Sequence, residues 1–156
     1  MNPNTQIEEL LIVGTGPVAR ALVAIGEPMG YHVRVAAGPQ TPRVGEFDGA
    51  DEVIVTPEST DVEAIRPSER TTVVVCAEDR EFSKRVVRSL ASTRVPYLGM
   101  LDDAPELLET LRADGLSHEA LERIHIPMGL DINAVTPEEV AVSVFAEIIK
   151  VKLREA

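Results

Sequence analysis

The sequence predicts an α/β protein: a doubly wound parallel sheet with helices on both faces, in three αβα layers. Three observations carry this. Short, wholly apolar runs alternate with stretches of helical spacing along the chain, the pattern of strands buried on both faces. The first run, Leu10–Val13, ends in a glycine turn, Gly14-Thr15-Gly16, that opens a helix. Aromatic residues make up only 3% of the chain, with no Trp, so the core has to be built from Val, Leu, Ile and Ala.

Each element follows in order. Leu10–Val13, bounded by Gly14, reads as a buried strand. The spacing predicts a helix over Val18–Met29, with Val18, Leu22, Ile25 and Met29 on one face and Ala19 close to the strand. His32–Ala37 is β-branched and follows a glycine. Asp51–Thr56 is a third strand, and Thr71–Ala77 a fourth and the most apolar. Asp79 caps a helix to about Ser92, with Phe82, Val86, Val87 and Leu90 inward, and Val95–Met100 is a fifth strand. Helices over Pro105–Ala113 and His118–Arg123 follow the capping residues Asp103 and Ser117. Ile124–Val135 is a loop with room for a short strand at its start. Thr136, Pro137 and Glu139 then form an N-cap, a first-turn proline and a capping box for a helix to about Leu153. Its core face carries Val140, Val144, Ile148 and Val151. Val142, Phe145 and Ile149 lie off that face, as either a broader core stripe or the mating surface of a homodimer.

Composition narrows the function. At 156 residues, without linker or repeat, the chain reads as one domain over residues 1–156. Its formal net charge of -11 argues against a nucleic-acid partner, because a phosphate backbone needs a basic face. Hydrophobic content is 44% in short runs, which excludes disorder and membrane-spanning segments. The N-terminus has neither a basic region nor a long apolar one, so a cytoplasmic protein is expected. The single cysteine, Cys76, reads as a buried core thiol, and no cysteine cluster suggests a metal. Lysines are confined to Lys84, Lys150 and Lys152. An acidic, lysine-poor surface suits a halophilic setting, where salt screens self-repulsion.

Gly14-Thr15-Gly16-Pro17-Val18-Ala19 is the phosphate half of a dinucleotide-binding fingerprint of the Rossmann type. Gly14 permits a tight turn, Gly16 lets a backbone approach pyrophosphate, and Ala19 allows close packing of helix on strand. Pro17 removes one N–H that could have met a phosphate. The ribose half is missing. NAD sites place an acid about 20 residues on, where this chain has Ala36, Ala37 and Gly38. Arg43, and more weakly Arg34, are the cations available to a 2′-phosphate; otherwise both read as solvated surface charge. No catalytic constellation stands out. Glu78, Asp79 and Asp131 lack an accompanying nucleophile or assigned base, so they define no acid/base site by themselves.

The last third, RIHIPMGLDINAVTPEEVAVSVFAEII (Arg123–Ile149), resembles the signature of the XdhC/CoxI family of xanthine dehydrogenase accessory factors. The resemblance extends to LLIVGTGPVARAL near the start, GADEVIV at Gly49–Val55 and YLG at Tyr97–Gly99. It implies a Rossmann domain that helps mature a molybdenum hydroxylase of the xanthine or CO dehydrogenase type. It implies a ligand that is either a nucleotide, including NAD(P), or the molybdopterin of molybdenum cofactor. That ligand would be held by Gly14, Thr15, Gly16, Pro17, Val18, Ala37, Arg43, Asp79, Gly99, Gly129 and Asp131. The family usually carries a further N-terminal domain, and this chain is expected to be the Rossmann domain alone. The departures cluster at the ligand end: Pro17 for a histidine, Ala37 for an aspartate, Ala77-Glu78-Asp79 for a Thr-His-Asp, and Asp102-Asp103 at an arginine pair. They leave two other readings open, an NAD(P)-dependent oxidoreductase and a ligand-free Rossmann module acting through protein contacts. His125 beside Ile124 and Ile126 reads as a packed histidine, and Asp131 as a partner for loop N–H groups or for a ligand.

Overall fold

The computed structural model describes residues 7–37, 47–55, 65–101 and 106–155. Among these residues six strands form one sheet: β1 (Glu9–Val13), β2 (His32–Ala37), β3 (Glu52–Val55), β4 (Thr71–Val75), β5 (Tyr97–Met100) and β6 (Ile124–His125). Their order is β3-β2-β1-β4-β5-β6, and every pairing is parallel. Among the described residues five helices cover it: α1 (Pro17–Gly26), α2 (Arg80–Leu90), α3 (Glu106–Ala113), α4 (His118–Glu122) and α5 (Pro137–Glu155).

Strand alternation divides the core in two. Leu10, Ile12, Val33, Val35 and Val74 face one way and pack with α1 and α5. Leu11, Val13, Ala36, Val73, Val75, Leu98 and Met100 face the other way, against α2, α3 and α4. Both sheet faces are therefore dry, which is why these strands read as unbroken apolar runs. The expected doubly wound sheet is the one observed.

Element ends shift for local reasons. The first helix stops at Gly26 rather than Met29. Pro28 has no N–H to extend the ladder past Glu27, which is itself still helical at φ -58 and ψ -56, and Gly30 turns the chain at φ 90; Met29 is left exposed. The fifth strand starts at Tyr97, because Pro96 brings no N–H to the ladder. Asp79 and Ser117 cap their helices, accepting hydrogen bonds from the N–H groups of Phe82 and Ala120 at 3.1 Å each. The cap assigned to Asp103 falls outside the described residues. On α5, Phe145 is buried with Val144 and Ile148, so the core stripe is broader than four residues; Val142 and Ile149 remain exposed.

Candidate functional site

Because β1 lies between β2 and β4, the winding reverses at the carboxyl ends of β1 and β4. In open α/β sheets this crevice is where ligands bind. The glycine turn lies there, between β1 and α1. The Cys76 N–H donates to the Val13 carbonyl at 2.8 Å, drawing the strand ends together. Gly14 has φ +135, and a Cβ there would stand 2.8 Å from the Ala77 nitrogen and the Cys76 carbonyl carbon. Only glycine fits both the conformation and the crossing.

Gly16 is different. Its φ is -85, in extended backbone, and it caps α1 with no side-chain hydrogen bond. A Cβ there would meet nothing closer than a carboxylate oxygen of Glu78, at 4.0 Å. The space in front of the helix N-terminus is thus open, and an acid borders it. Pro17 is exposed at the first helical position, Thr15 is half-buried, and half-buried Val18 packs onto the α1–α5 core. Across the crevice Asp79 already serves as the α2 cap. Ala37 ends β2, fully buried and in register with Val55; its methyl group offers a ribose no acceptor. Arg43, Asp102 and Asp103 fall outside the described residues.

Arg34 is not a solvated charge. It is 8% exposed and bridges strands, with Nη1 2.7 Å from Glu9 of β1 and Nε 3.2 Å from Glu52 of β3. Its long side chain spans β2's two neighbours, which makes it a tie across the sheet.

The remaining expected residues sit in the connection from β6 to α5, and there one acid organises the structure. Glu147 Oε1 accepts from the Tyr97 hydroxyl at 2.6 Å and the Gly129 N–H at 3.2 Å, and lies 3.4 Å from His125 Nδ1. Tyr97 and His125 stack with centroids 4.7 Å apart. Burial, reinforced by the Glu147 contact, pushes the Tyr97 phenol far above its usual range. Gly129, at φ +103, lies against α5, where a Cβ would stand 2.5 Å from Ser143 Oγ. Gly99 lies inside β5, paired with Val74 and His125, and a Cβ there would strike Tyr97 and Met128. These glycines make room for packing, and His125 is a packed histidine. Asp131 is exposed and forms no hydrogen bond or ion pair with other described residues. The loop N–H groups of Met128 and Leu130 go instead to the carbonyls of Met100 and Ser143. The structure therefore brings Gly14–Val18 and Asp79 to one crevice, while Gly99 and Gly129 belong to the packing beneath α5.

Glu147 is the residue sequence reasoning passed over. Its signal is an acid at the i+7 position from Val140, in the stripe of Val140, Val144 and Val151. Among the described residues, no group of three His, Cys, Asp or Glu side chains could hold a metal ion. No described helix is long and apolar enough to cross a membrane.

The strand order and the glycine turn at the winding reversal define a Rossmann domain. Comparison with known proteins makes the class particular. The family model described as the XdhC Rossmann domain matches residues 10–148, and the chain belongs to that family. YqeB of Escherichia coli, an uncharacterised protein, is 31% identical over 150 residues, covering 92% of this chain and 27% of its own length. A probable xanthine dehydrogenase subunit of Bacillus subtilis is 28% identical over 148 residues, covering 94% of this chain and 44% of its own. The crystal structure of a xanthine dehydrogenase from Bacillus halodurans superposes with a TM-score of 0.83 at 21% identity, covering 100% of this chain and 48% of that one. The chain thus spans less than half of each of these relatives.

Proposed function

We propose that this protein is an accessory factor for a molybdenum hydroxylase of the xanthine or CO dehydrogenase type, and that it holds a phosphate-bearing ligand over Gly14–Val18 during maturation of that client. The observation that carries the reading is the family match over residues 10–148. The open space at Gly16 supports a phosphate ester, because the free N–H groups and positive dipole end of α1 face it. The ligand is a nucleotide or the phosphate end of molybdopterin, with molybdenum cofactor as cargo for the client. The buried Ala37 disfavours NAD chemistry. Glu78 favours a second reading, in which the crevice has lost its ligand and the domain works through protein contacts, since a carboxylate beside Gly16 repels a phosphate.

The test is native mass spectrometry of gently purified protein, followed by titration with NAD, NADP, AMP and molybdopterin. Binding of a phosphate-bearing ligand is expected. Gly16→Asp should abolish it without unfolding the domain, since the position is open and extended and aspartate is a favourable N-cap. Glu78→Gln should tighten binding roughly two- to fivefold by removing an exposed like charge. If no ligand binds, and client association survives Gly16→Asp, the protein-contact reading replaces this one.

A further inference from the structure

The outward face of α5 carries an exposed apolar stripe. Its inward face is fully engaged, with Ala141, Val144, Phe145 and Ile148 buried against the sheet and α1. On the opposite side Glu138, Val142, Ala146 and Ile149 follow one another at i, i+4, i+8 and i+11, a single stripe along the helix. Val142 is 51% exposed and Ile149 45%, large values for aliphatic residues on the same helix as a dry core. Between them lies Ala146, small enough to let a second helix come close.

Charge identifies the occupant. The first turn of α5 is acidic, with Glu138 and Glu139. Its last third carries Lys150 and Lys152, two of the three lysines in a chain of net charge -11. Lys152 is committed within the chain, its Nζ 2.8 Å from the Tyr31 hydroxyl. Lys150 and Glu138 are both exposed and form no hydrogen bond or ion pair with other described residues. Two acidic copies repel one another, and a face that carries its own exposed cation, Lys150, together with an exposed acid, Glu138, offsets that repulsion where it pairs with itself. An antiparallel pairing of two α5 helices supplies that match twice.

We infer that the protein forms a two-fold symmetric homodimer through antiparallel α5 helices. Val142 of each copy packs against Ile149 of the other, and the two Ala146 residues flank the axis. The register brings Glu138 of one copy within about one helical turn, roughly 5 Å along the axis, of Lys150 of the other. Antiparallel packing also sets the positive dipole end of each helix beside the negative end of its partner. The interface is isologous, the commonest form of closed assembly. It is independent of whether the glycine turn holds a ligand.

Sedimentation equilibrium of the full chain, with folding checked by circular dichroism, tests this. A particle of twice the 16.9 kDa chain mass is expected. Val142→Glu and Ile149→Glu, both at exposed positions, should each raise the dissociation constant at least about tenfold. Glu138→Lys and Lys150→Glu should each weaken the dimer, and the double variant should recover it. Because Cys76 is buried, Ala146→Cys should give a disulfide-linked dimer under mild oxidation, reporting the axis alone. A monomer at all concentrations overturns the proposal, and so does a dimer indifferent to Val142→Glu and Ile149→Glu.

Discussion

Glu147 shows how much of the chemistry-bearing appearance of a sequence can be architecture. One carboxylate oxygen takes hydrogen bonds from β5 through Tyr97 and from the loop through Gly129, with His125 of β6 beside it. Removing it leaves buried donors without a partner, which costs the full desolvation of those groups. Glu147→Ala is expected to lower stability by about 3 kcal/mol, whereas Glu147→Gln, which keeps an acceptor, should cost about 1 kcal/mol; urea denaturation measures both. Equal losses would mean that the acceptor is not what matters. The turn geometry was legible at this scale: the need for glycine at Gly14 follows from the motif itself. Arg34 and Glu147 were not, because their value lies in partners 25 and 18 residues away that no local pattern reveals. Cys76 was read correctly as a buried thiol; desolvation pushes it up to about 12, so it stays protonated at neutral pH.

At the scale of elements, the β6–α5 connection is secured where α5 begins. Thr136 Oγ1 accepts from the Glu139 N–H at 3.1 Å, and Glu139 Oε1 accepts from the N–H groups of Thr136 at 2.9 Å and Val135 at 3.1 Å. Thr136→Ala is expected to lower stability by about 1 kcal/mol in thermal or chemical denaturation. The backbone N–H groups of Thr136 and Val135, then the Thr136 side chain, hold the Glu139 carboxyl below its usual 4.5. A depressed carboxyl stabilises the fold fully above its unfolded value and loses that contribution as pH falls through its folded one. The stability gap between wild type and Glu139→Gln should therefore shrink between about pH 5 and pH 3; a gap constant over that range would contradict the assignment. This capping box was visible in the sequence because its two halves lie three residues apart. The helix that ended at Gly26 was misjudged by periodicity, since Met29 continues an apolar spacing that the Pro28 backbone cannot follow.

For the whole molecule, the net charge makes stability a matter of the surrounding salt. With a net charge of -11 on 156 residues, self-repulsion opposes compaction until counter-ions screen it. The melting temperature is expected to rise between about 0.1 M and 2 M KCl; a value unchanged across that range would remove the halophilic reading. The sheet's overall order was legible because a glycine turn after the first strand and alternating elements leave few parallel arrangements open. The crevice chemistry was less so. The glycine motif announces a phosphate, while the carboxylate of Glu78, which qualifies it, comes from another strand's end and is brought there only by the fold.

The place of β1 at the centre of the sheet also bears on how the chain is made. β1 leaves the ribosome before the other described strands, yet one of its two edges pairs with β4, in a register that joins Glu9 to Thr71. Until that distant segment emerges, the nascent protein carries an apolar strand with a row of open backbone groups, a template for the wrong neighbour. Translation of residues 14–70 is therefore an interval of exposure, one that ends only when β4 arrives.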